Sequence, residues 1–401
     1  MTIKGLIQYL QSLHLNVKIL LITACLVNAS SGIAYPFLSE YIFSITNSAL
    51  IAGYVASIKG IVCVMALILG GFLADNLGRK TLVWLGTLIF GLSLIFYSVA
   101  SDFLSLSLAA ICEGISYFYF PAFNAVFMDV LPSFLLVKTF ALLTIIEFVP
   151  YDFFSLIGGI VRDQYGIYGL RAGFFVGGLV AVLISIPRWK LLTETLLERR
   201  RVGLKEAGRA YIFLFRDFLK LSSAVKTLIV LRATLLISGT VMFYYFAVLY
   251  VVRYAEIATF TQWGLILALS TLSTFLSPLV IEATKKYRPA ILYSISTFLA
   301  GLTPLLFLTN RFLVLIASMM LFNLAVAVII SVENALIART TVQNMRGRAG
   351  GMLNISFYLG SAIGSYLGGF LYSVHPPLIL TTSFVMLLCC STLSFMLLRK
   401  F

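Results

Sequence analysis

Long apolar segments recur along nearly the whole chain and constrain its fold more than any other feature. Each is roughly twenty residues long, the length at which a helix crosses a hydrocarbon core about 30 Å thick. The composition agrees, because 61% of the 401 residues are hydrophobic and only 11% are charged. The sequence therefore predicts an all-α integral membrane protein. Its twelve predicted transmembrane helices are Val17–Tyr41, Leu50–Ala74, Leu82–Ala100, Phe103–Phe127, Thr139–Val161, Gly169–Ile186, Lys226–Val252, Thr261–Glu282, Pro289–Leu308, Phe312–Ile337, Gly350–Tyr372 and Leu378–Leu398.

The basic residues are distributed unequally between the two sides of the predicted bundle. With the N-terminus inside, most of the 29 Lys and Arg residues fall at inner helix ends and loops. The outer loops hold few, namely Arg162, Arg171, Arg253 and Arg311. Because cytoplasmic loops are enriched in Lys and Arg, we expect a multi-pass protein of the cell membrane with both termini cytoplasmic. Topology and contact with anionic membrane lipids then explain the net charge of +14, and no nucleic-acid partner is expected.

One long connection divides the predicted helices into two groups of six. It carries a run of arginines at 199–201, beside apolar residues at helical spacing, which is typical of amphipathic helices on the inner leaflet. The predicted domains are an amphipathic N-terminal helix (1–16), an N-terminal six-helix bundle (17–188), a cytoplasmic linker with amphipathic helices (189–225) and a C-terminal six-helix bundle (226–401).

A short charged segment interrupts the apolar pattern between the second and third helices. Gly71 is predicted to permit a close helix approach, and Gly78 a tight turn. Asp75 is predicted to cap the N-terminus of a neighbouring helix and to pair with a cation. Arg79 is predicted to be the bidentate partner of a carboxylate. The second half repeats the four-residue spacing of these two charges at the same place, as expected of an internal repeat. We call this set the hinge motif; it comprises Gly71, Asp75, Gly78, Arg79 and Lys80, with Glu282 and Lys286 in the repeat.

Two groups of six helices, a long basic central loop and the pattern G-x-x-x-D-x-x-G-R-K between helices two and three resemble the major facilitator superfamily of secondary transporters. The resemblance covers essentially the whole chain. It implies two pseudo-symmetric bundles that rock about a central cavity, and a monomeric protein. It also implies that the hinge motif latches the halves on the inner side in the outward-open state; a topology-determining loop is the alternative. It fixes no substrate, because the family moves sugars, drugs, peptides, carboxylates and inorganic ions.

Two patterns common in the family are missing. Proton-coupled members often carry an arginine four residues before the glycine of the fourth helix, where this chain has Ala110 before Gly114. Exporters often place Gly-Pro shortly before the paired glycines of helix five, but here the sequence 154–157 before Gly158 and Gly159 is Phe-Ser-Leu-Ile. These motifs therefore do not support proton antiport, although proton coupling is still the expected mode.

Four ionisable residues fall well inside the predicted spans: Lys59, Glu113, Glu147 and Asp152. Such groups are rare in a membrane and mark functional sites by default. A lone carboxylate in hydrocarbon holds its proton, whereas a nearby lysine favours its ionised form. We therefore hypothesise that Glu113 or Glu147 binds the coupling proton or a cationic substrate, with Lys59 as its electrostatic partner. The alternatives are a static pair that fixes helix packing and side chains that reach toward the lipid headgroups.

Aromatic and amide residues are expected to complete a central cavity that hydrogen-bonds and stacks on a small organic solute. A packing role is the alternative for each of them. The predicted cavity-lining residues are Asn28, Tyr35, Tyr117, Asn124, Tyr244 and Asn323.

The sequence thus predicts a secondary active transporter that moves a small organic solute by alternating access, coupled to protons. A transporter-like membrane sensor or a lipid-handling protein without solute flux is the alternative. An enzyme would need a nucleophile with a base, or a metal cluster, at shared depth. The five cysteines fall inside apolar runs, and no enzymatic activity, metal or cofactor is expected.

Overall fold

A computed structural model describes residues 9, 12–196, 203, 206, 208, 216, 218–284, 286–341 and 346–398. Helices account for nearly all of this part of the chain, and no strand occurs in it. The predicted all-α class is confirmed, and most helices extend a few residues beyond the predicted spans. In chain order the helices are α1 (Leu15–Thr46), α2 (Ala49–Ala74), α3 (Arg79–Val99), α4 (Phe103–Val130), α5 (Ser133–Tyr165), α6 (Ile167–Leu191), α7 (Ser223–Tyr254), α8 (Phe260–Thr284), α9 (Pro289–Phe307), α10 (Phe312–Thr340), α11 (Arg346–Val374) and α12 (Pro377–Leu398).

Eleven helices of the described ranges are long and apolar enough to cross a membrane. The remaining one, α11, has 29 residues and is also long enough, but it is rich in glycine, serine and tyrosine and therefore less apolar. These helices give the chain a multi-pass membrane architecture.

Local sequence explains where several helices begin and where some are interrupted. The Ser48 hydroxyl accepts the Ile51 N–H at 3.3 Å and caps α2. Pro36 has no N–H, and α1 is interrupted around it by a 3₁₀ turn over Tyr35–Phe37. In α7, two π-helical segments, Leu236–Phe243 and Leu249–Tyr254, flank a short α-helical piece.

Helices α1–α6 form one half of the molecule and α7–α12 the other. The most extensive contacts between the halves join α2 to α11 and α5 to α8. Small residues allow these contacts: a Cβ on Gly53 would lie 2.5 Å from the Ser365 carbonyl oxygen, and one on Gly60 would lie 2.8 Å from the Ala362 Cβ. The halves are therefore in backbone contact along parts of these helices.

The glycine contacts between α2 and α11 lie nearer one end of the bundle. We call the end where α1 begins and α12 finishes the terminal face, and the other end the opposite face. The α2–α11 contact involves the part of each helix nearer the opposite face. Toward the terminal face, a Cβ on Gly71 of α2 or Gly350 of α11 would meet no atom within 4 Å. The glycine contacts between the halves thus lie nearer the opposite face, and Gly71 and Gly350 take no part in them.

Two predicted segments fall partly outside the described residues. Residues 1–8, 10 and 11 of the predicted amphipathic helix 1–16 are outside them. So are residues 197–202, 204, 205, 207, 209–215 and 217 of the predicted linker 189–225.

Candidate functional site

A buried network of side chains surrounds Glu113 in the N-terminal half. The Glu113 carboxylate is fully buried, and Lys59 Nζ lies 3.4 Å from its Oε1. The Tyr35 hydroxyl donates to the same oxygen and accepts from Lys59, while the Tyr97 hydroxyl donates to Oε2 at 3.2 Å. Lysine, carboxylate and two phenols from α1–α4 therefore form one connected group, the Glu113 network.

Helix packing explains how Lys59 and Glu113 meet. Gly114 lies directly against α2, since a Cβ there would be 2.7 Å from the Val62 Cβ and 3.0 Å from the Lys59 carbonyl oxygen. This brings the backbones of α4 and α2 together at the level of the pair. Tyr35 joins them from the 3₁₀ turn of α1.

The network can bind one proton in a way that changes its charge. As an ion pair, Lys59 and Glu113 compensate each other's cost of leaving water. Protonation of Glu113 would remove that compensation and leave the positive charge of Lys59, whose side chain is 18% exposed. The arrangement is thus chemically able to convert a protonation event into an unpaired charge beside the space between the halves.

The other two predicted intramembrane carboxylates lie outside this network. Asp152 is only 6% exposed and lies within hydrogen-bonding reach of Thr271 on α8, in the other half. Glu147 is half-buried on α5, and in the described ranges no ion pair is formed by either residue. The structure brings Lys59 to Glu113, but not to Glu147.

All three predicted cavity-lining tyrosines make aromatic contacts, and Tyr35 meets the ring of Tyr151 on α5 with centroids 6.4 Å apart. The ring of Tyr117 on α4 meets that of Tyr358 on α11 edge-on, with centroids 5.0 Å apart, so this contact crosses between the halves. The ring of Tyr244 on α7 stacks on Phe322 of α10 at 6.3 Å.

The three predicted cavity-lining amides are half-buried. Asn28 donates to the Ala24 carbonyl oxygen one turn earlier at 2.9 Å. Asn323 donates to the Ser270 hydroxyl at 2.9 Å and joins α10 to α8. Asn124 lies on the part of α4 nearer the terminal face.

The hinge motif joins elements of the N-terminal half in this conformation. Arg79 forms an ion pair with Asp129 at the end of α4, and its backbone N–H donates to Glu194 at 2.9 Å. Gly78 has a φ of 107°, as the predicted tight turn requires. Asp75 is exposed at the end of α2.

In this conformation Gly71 makes no close approach to another helix. Gly70, the preceding residue, lies against the Phe118 backbone instead, where a Cβ would overlap the main chain. A shift of one residue turns a helix position by about 100°, so the packed face of α2 carries Gly70 rather than Gly71.

The remaining residues of the hinge motif differ in exposure. Lys80, in the first copy, is half-buried, whereas Glu282 and Lys286, in the repeat of the C-terminal half, are exposed. The Lys286 ammonium lies 5.2 Å from the centroid of the Tyr287 ring.

The opposite face is closed by a charged cluster that sequence reasoning missed. The fully buried Glu40 of α1 pairs with Arg162 of α5 at 2.7 Å and with Arg253 of α7 at 2.6 Å. The Asp163 carboxylate accepts the backbone N–H of Thr261 at 2.7 Å, at the positive end of α8. We call Glu40, Arg162, Arg253 and Asp163 the opposite-face latch, because Arg253 and α8 belong to the other half. The sequence did contain a signal for this latch. Glu40 is a carboxylate near the end of an apolar run, on the side where arginines are few.

Comparisons with known proteins agree with this architecture. The Major Facilitator Superfamily model matches residues 20–281 and 233–400. An uncharacterised MFS-type transporter of Methanocaldococcus jannaschii is 22% identical over 90% of this chain and 92% of its own length. A Na⁺, Li⁺, K⁺/H⁺ antiporter of Planococcus maritimus is 21% identical over 87% of each chain. The crystal structure of a POT family transporter with a bound thioalcohol-conjugated peptide shares the fold, with a TM-score of 0.77 and 14% identity over 98% of this chain and 99% of that one. The family model spans both halves, and the chain belongs to the Major Facilitator Superfamily of solute transporters.

Proposed function

We propose that this protein is a monomeric secondary active transporter of the cell membrane that moves a small organic solute by alternating access, coupled to protons. The proposed cytoplasmic termini make the terminal face the inner side. The described conformation is then inward-open, with the opposite-face latch closed toward the outside.

The observation that carries the proposal is the Glu113 network. Its carboxylate is inaccessible, but it contacts Lys59, whose side chain is 18% exposed. A proton on Glu113 would free Lys59 and change the electrostatic potential felt by a solute there. A carboxylate of this kind is suited to couple solute binding to protonation.

Helix α1 offers a path from this network to the latch. Tyr35, which donates to Glu113, lies in the 3₁₀ turn of α1. Glu40 follows five residues later and closes the opposite face. A change in the hydrogen bonds of Tyr35 can thus reorient the segment that carries Glu40, so the proton and the gate act on one element.

A specific observation favours a second candidate, the exchange of a monovalent cation for protons. Glu147 and Asp152 form no ion pair in the described ranges, and the relative from Planococcus maritimus is named for such an exchange. Two carboxylates without cations near the space between the halves would favour a positively charged solute.

Reconstituted protein can test these proposals. Proteoliposomes with an internal pH-sensitive dye would receive nucleosides, short peptides, organic cations, NaCl or KCl, and solute-induced proton movement would be recorded. We expect one class of solute to move protons in the wild type. In Glu113→Gln, proton movement should disappear while exchange of the same labelled solute continues.

Glu333→Gln is the matched control. Glu333 is an almost fully buried carboxylate of the other half, paired with Arg232 at 2.5 Å. Its variant should keep solute-induced proton movement. Unchanged gradient-driven accumulation in Glu113→Gln would rule out Glu113 as the proton carrier. An absence of flux for every solute would favour a sensor or lipid-handling protein.

A further inference from the structure

Every partner of Glu113 with a resolved hydrogen bond or ion pair belongs to the N-terminal half. Lys59, Tyr35 and Tyr97 lie on α2, α1 and α3. Within one rigid half, a protonation event could change local charge without changing how the halves pack. Coupling of this proton to alternating access therefore requires a group of the C-terminal half that senses Glu113.

Tyr245 of α7 fits this requirement. Its hydroxyl oxygen is buried and has no hydrogen-bond partner in the structure. The hydroxyl is buried, and Glu113 and the Tyr97 hydroxyl are close enough to interact with it electrostatically. Burying a hydroxyl without a hydrogen-bond partner costs free energy. A conformation in which the Tyr245 hydroxyl forms a hydrogen bond is therefore favoured by that bond.

The backbone of Tyr245 lies at the junction between the halves. Its carbonyl oxygen accepts the Ser39 hydroxyl of α1 at 2.5 Å, next to Glu40 of the opposite-face latch. The residue lies in the short α-helical piece Tyr244–Val248, between the two π-helical segments of α7. Since π-helical turns are rare and are frequent at functional sites, α7 can change the angular position of Tyr245 by exchanging π for α turns.

Glu113 is the carboxyl group of its surroundings, and Lys59 is the cation that faces it among the described residues. Free tyrosine and cysteine side chains are neutral at pH 7. The titratable and charged groups facing it are Tyr35 on α1, Lys59 and Cys63 on α2, Tyr97 on α3, Cys112 and Tyr117 on α4, Tyr151 on α5, Tyr245 on α7 and Tyr358 on α11. Tyr358, the other tyrosine of the C-terminal half, interacts with Tyr117, which leaves Tyr245 as the group of that half able to take a new bond.

We propose that Tyr245 is the positioning residue of the C-terminal half through which the two halves respond to the proton on Glu113. This inference rests on the proposed proton-coupled transport. The Tyr245 hydroxyl bonds the Glu113 network in one protonation state and loses that bond in the other, as in the described conformation. The rotation of α7 then sets whether Ser39 and Glu40 are held at the opposite face.

The test measures the distance between the halves as a function of pH. Spin labels at Ser101→Cys and Thr309→Cys, two exposed loop positions of the opposite face in different halves, report its opening when the five native cysteines are replaced by alanine. One coupled proton changes the ratio of open to closed molecules by up to about tenfold per pH unit. We expect such a response in the wild type, and in Tyr245→Phe a change of about twofold or less.

Tyr254→Phe is the matched control, since Tyr254 is a tyrosine at the end of the same helix that is 45% exposed, and it should keep the wild-type pH response. Tyr245→Phe should fold normally, with a thermal midpoint no lower than that of the wild type, because the lost hydroxyl bonds nothing here. A pH-responsive wild type with an unchanged Tyr245→Phe response would overturn the role of Tyr245 alone. A wild type without a pH response or solute-driven proton flux would overturn proton coupling itself, and this role with it.

Discussion

At the residue scale, Lys59 and Glu113 show why buried charges in this protein come with partners. Glu113 is fully buried and accepts from two phenols besides its contact with Lys59. Taking either charge out of water alone is costly, and an ion pair with further hydrogen bonds offsets much of that cost. The same logic holds in the other half, where Glu333 pairs with Arg232 and accepts from the Tyr293 hydroxyl at 3.3 Å.

Removal of one member of the pair should therefore cost more than removal of both. Lys59→Met leaves Glu113 without its cation, and we expect the free energy of unfolding to fall by roughly 3 kcal/mol. Lys59→Met combined with Glu113→Gln should recover part of this loss, because no buried charge is then unpaired. Unfolding in detergent micelles would measure both values. Strictly additive effects would show that the pair contributes no coupling energy.

Sequence alone located Lys59 and Glu113 because charges within apolar runs are few and conspicuous. It could not show which carboxylate meets Lys59, since that depends on the close approach of α4 to α2 at Gly114. Tyr97 and Tyr245 were not chosen as site residues, because a tyrosine in a membrane helix looks the same whether it packs or bonds a carboxylate. Glu40 was missed because its arginine partners are distant in the chain.

At the element scale, glycines decide which helices can touch. Gly158 and Gly159 are consecutive on α5 but point in different directions. Gly158 packs against Ile33 of α1 in its own half, and Gly159 packs against Phe260 of α8 in the other half. A side chain at either position would overlap backbone atoms, but only the second contact can be relieved by moving the halves apart.

This difference gives a matched pair of variants. Gly159→Ala should shift the protein toward opening at the opposite face, with little loss of stability. Gly158→Ala should overpack the N-terminal half and lower the free energy of unfolding by about 1–3 kcal/mol. Labelling of a cysteine at Ser101 and thermal unfolding in detergent would separate the two effects. Equal destabilisation without a change in labelling would contradict this account.

The helices also show which features the apolar pattern of the sequence can predict and which it cannot. Apolar runs predicted nearly all helices, because crossing a membrane sets both their length and their composition. They could not predict the phase of α2, where Gly70 rather than Gly71 packs, or the π-helical segments of α7. Those features depend on neighbouring helices that come from elsewhere in the chain.

At the scale of the whole molecule, the opposite-face latch holds one side of the protein shut. Glu40 has two arginine partners, only one of which belongs to the other half. Backbone donors at the start of α8 add a second connection through Asp163. A gate that uses a few polar contacts can open without exposing a large apolar surface.

Neutralisation of Glu40 should weaken this gate. Glu40→Gln leaves Arg162 and Arg253 without their carboxylate. Truncating one partner of a buried charge pair costs about 2–5 kcal/mol. We therefore expect the population that is open at the opposite face to rise about tenfold or more. Spin-label distances across the opposite face would measure the shift. Asp102→Asn, a loop carboxylate that only caps α4, is the control and should leave the distances unchanged. An unaltered distribution in Glu40→Gln would show that the latch does not hold the face closed.

The Glu113 network also limits the work that a transport cycle could perform. On the proposed mechanism, a single carboxylate carries one proton per cycle. The ratio of the concentrations of a neutral solute on the two sides of the membrane could then rise by at most about tenfold for each pH unit across the membrane. A membrane potential would add about 2.3 kcal/mol per 100 mV for the one charge moved. A steeper accumulation would require a second ionisable carrier, and Glu147 and Asp152 are the unpaired carboxylates of the described chain at that depth.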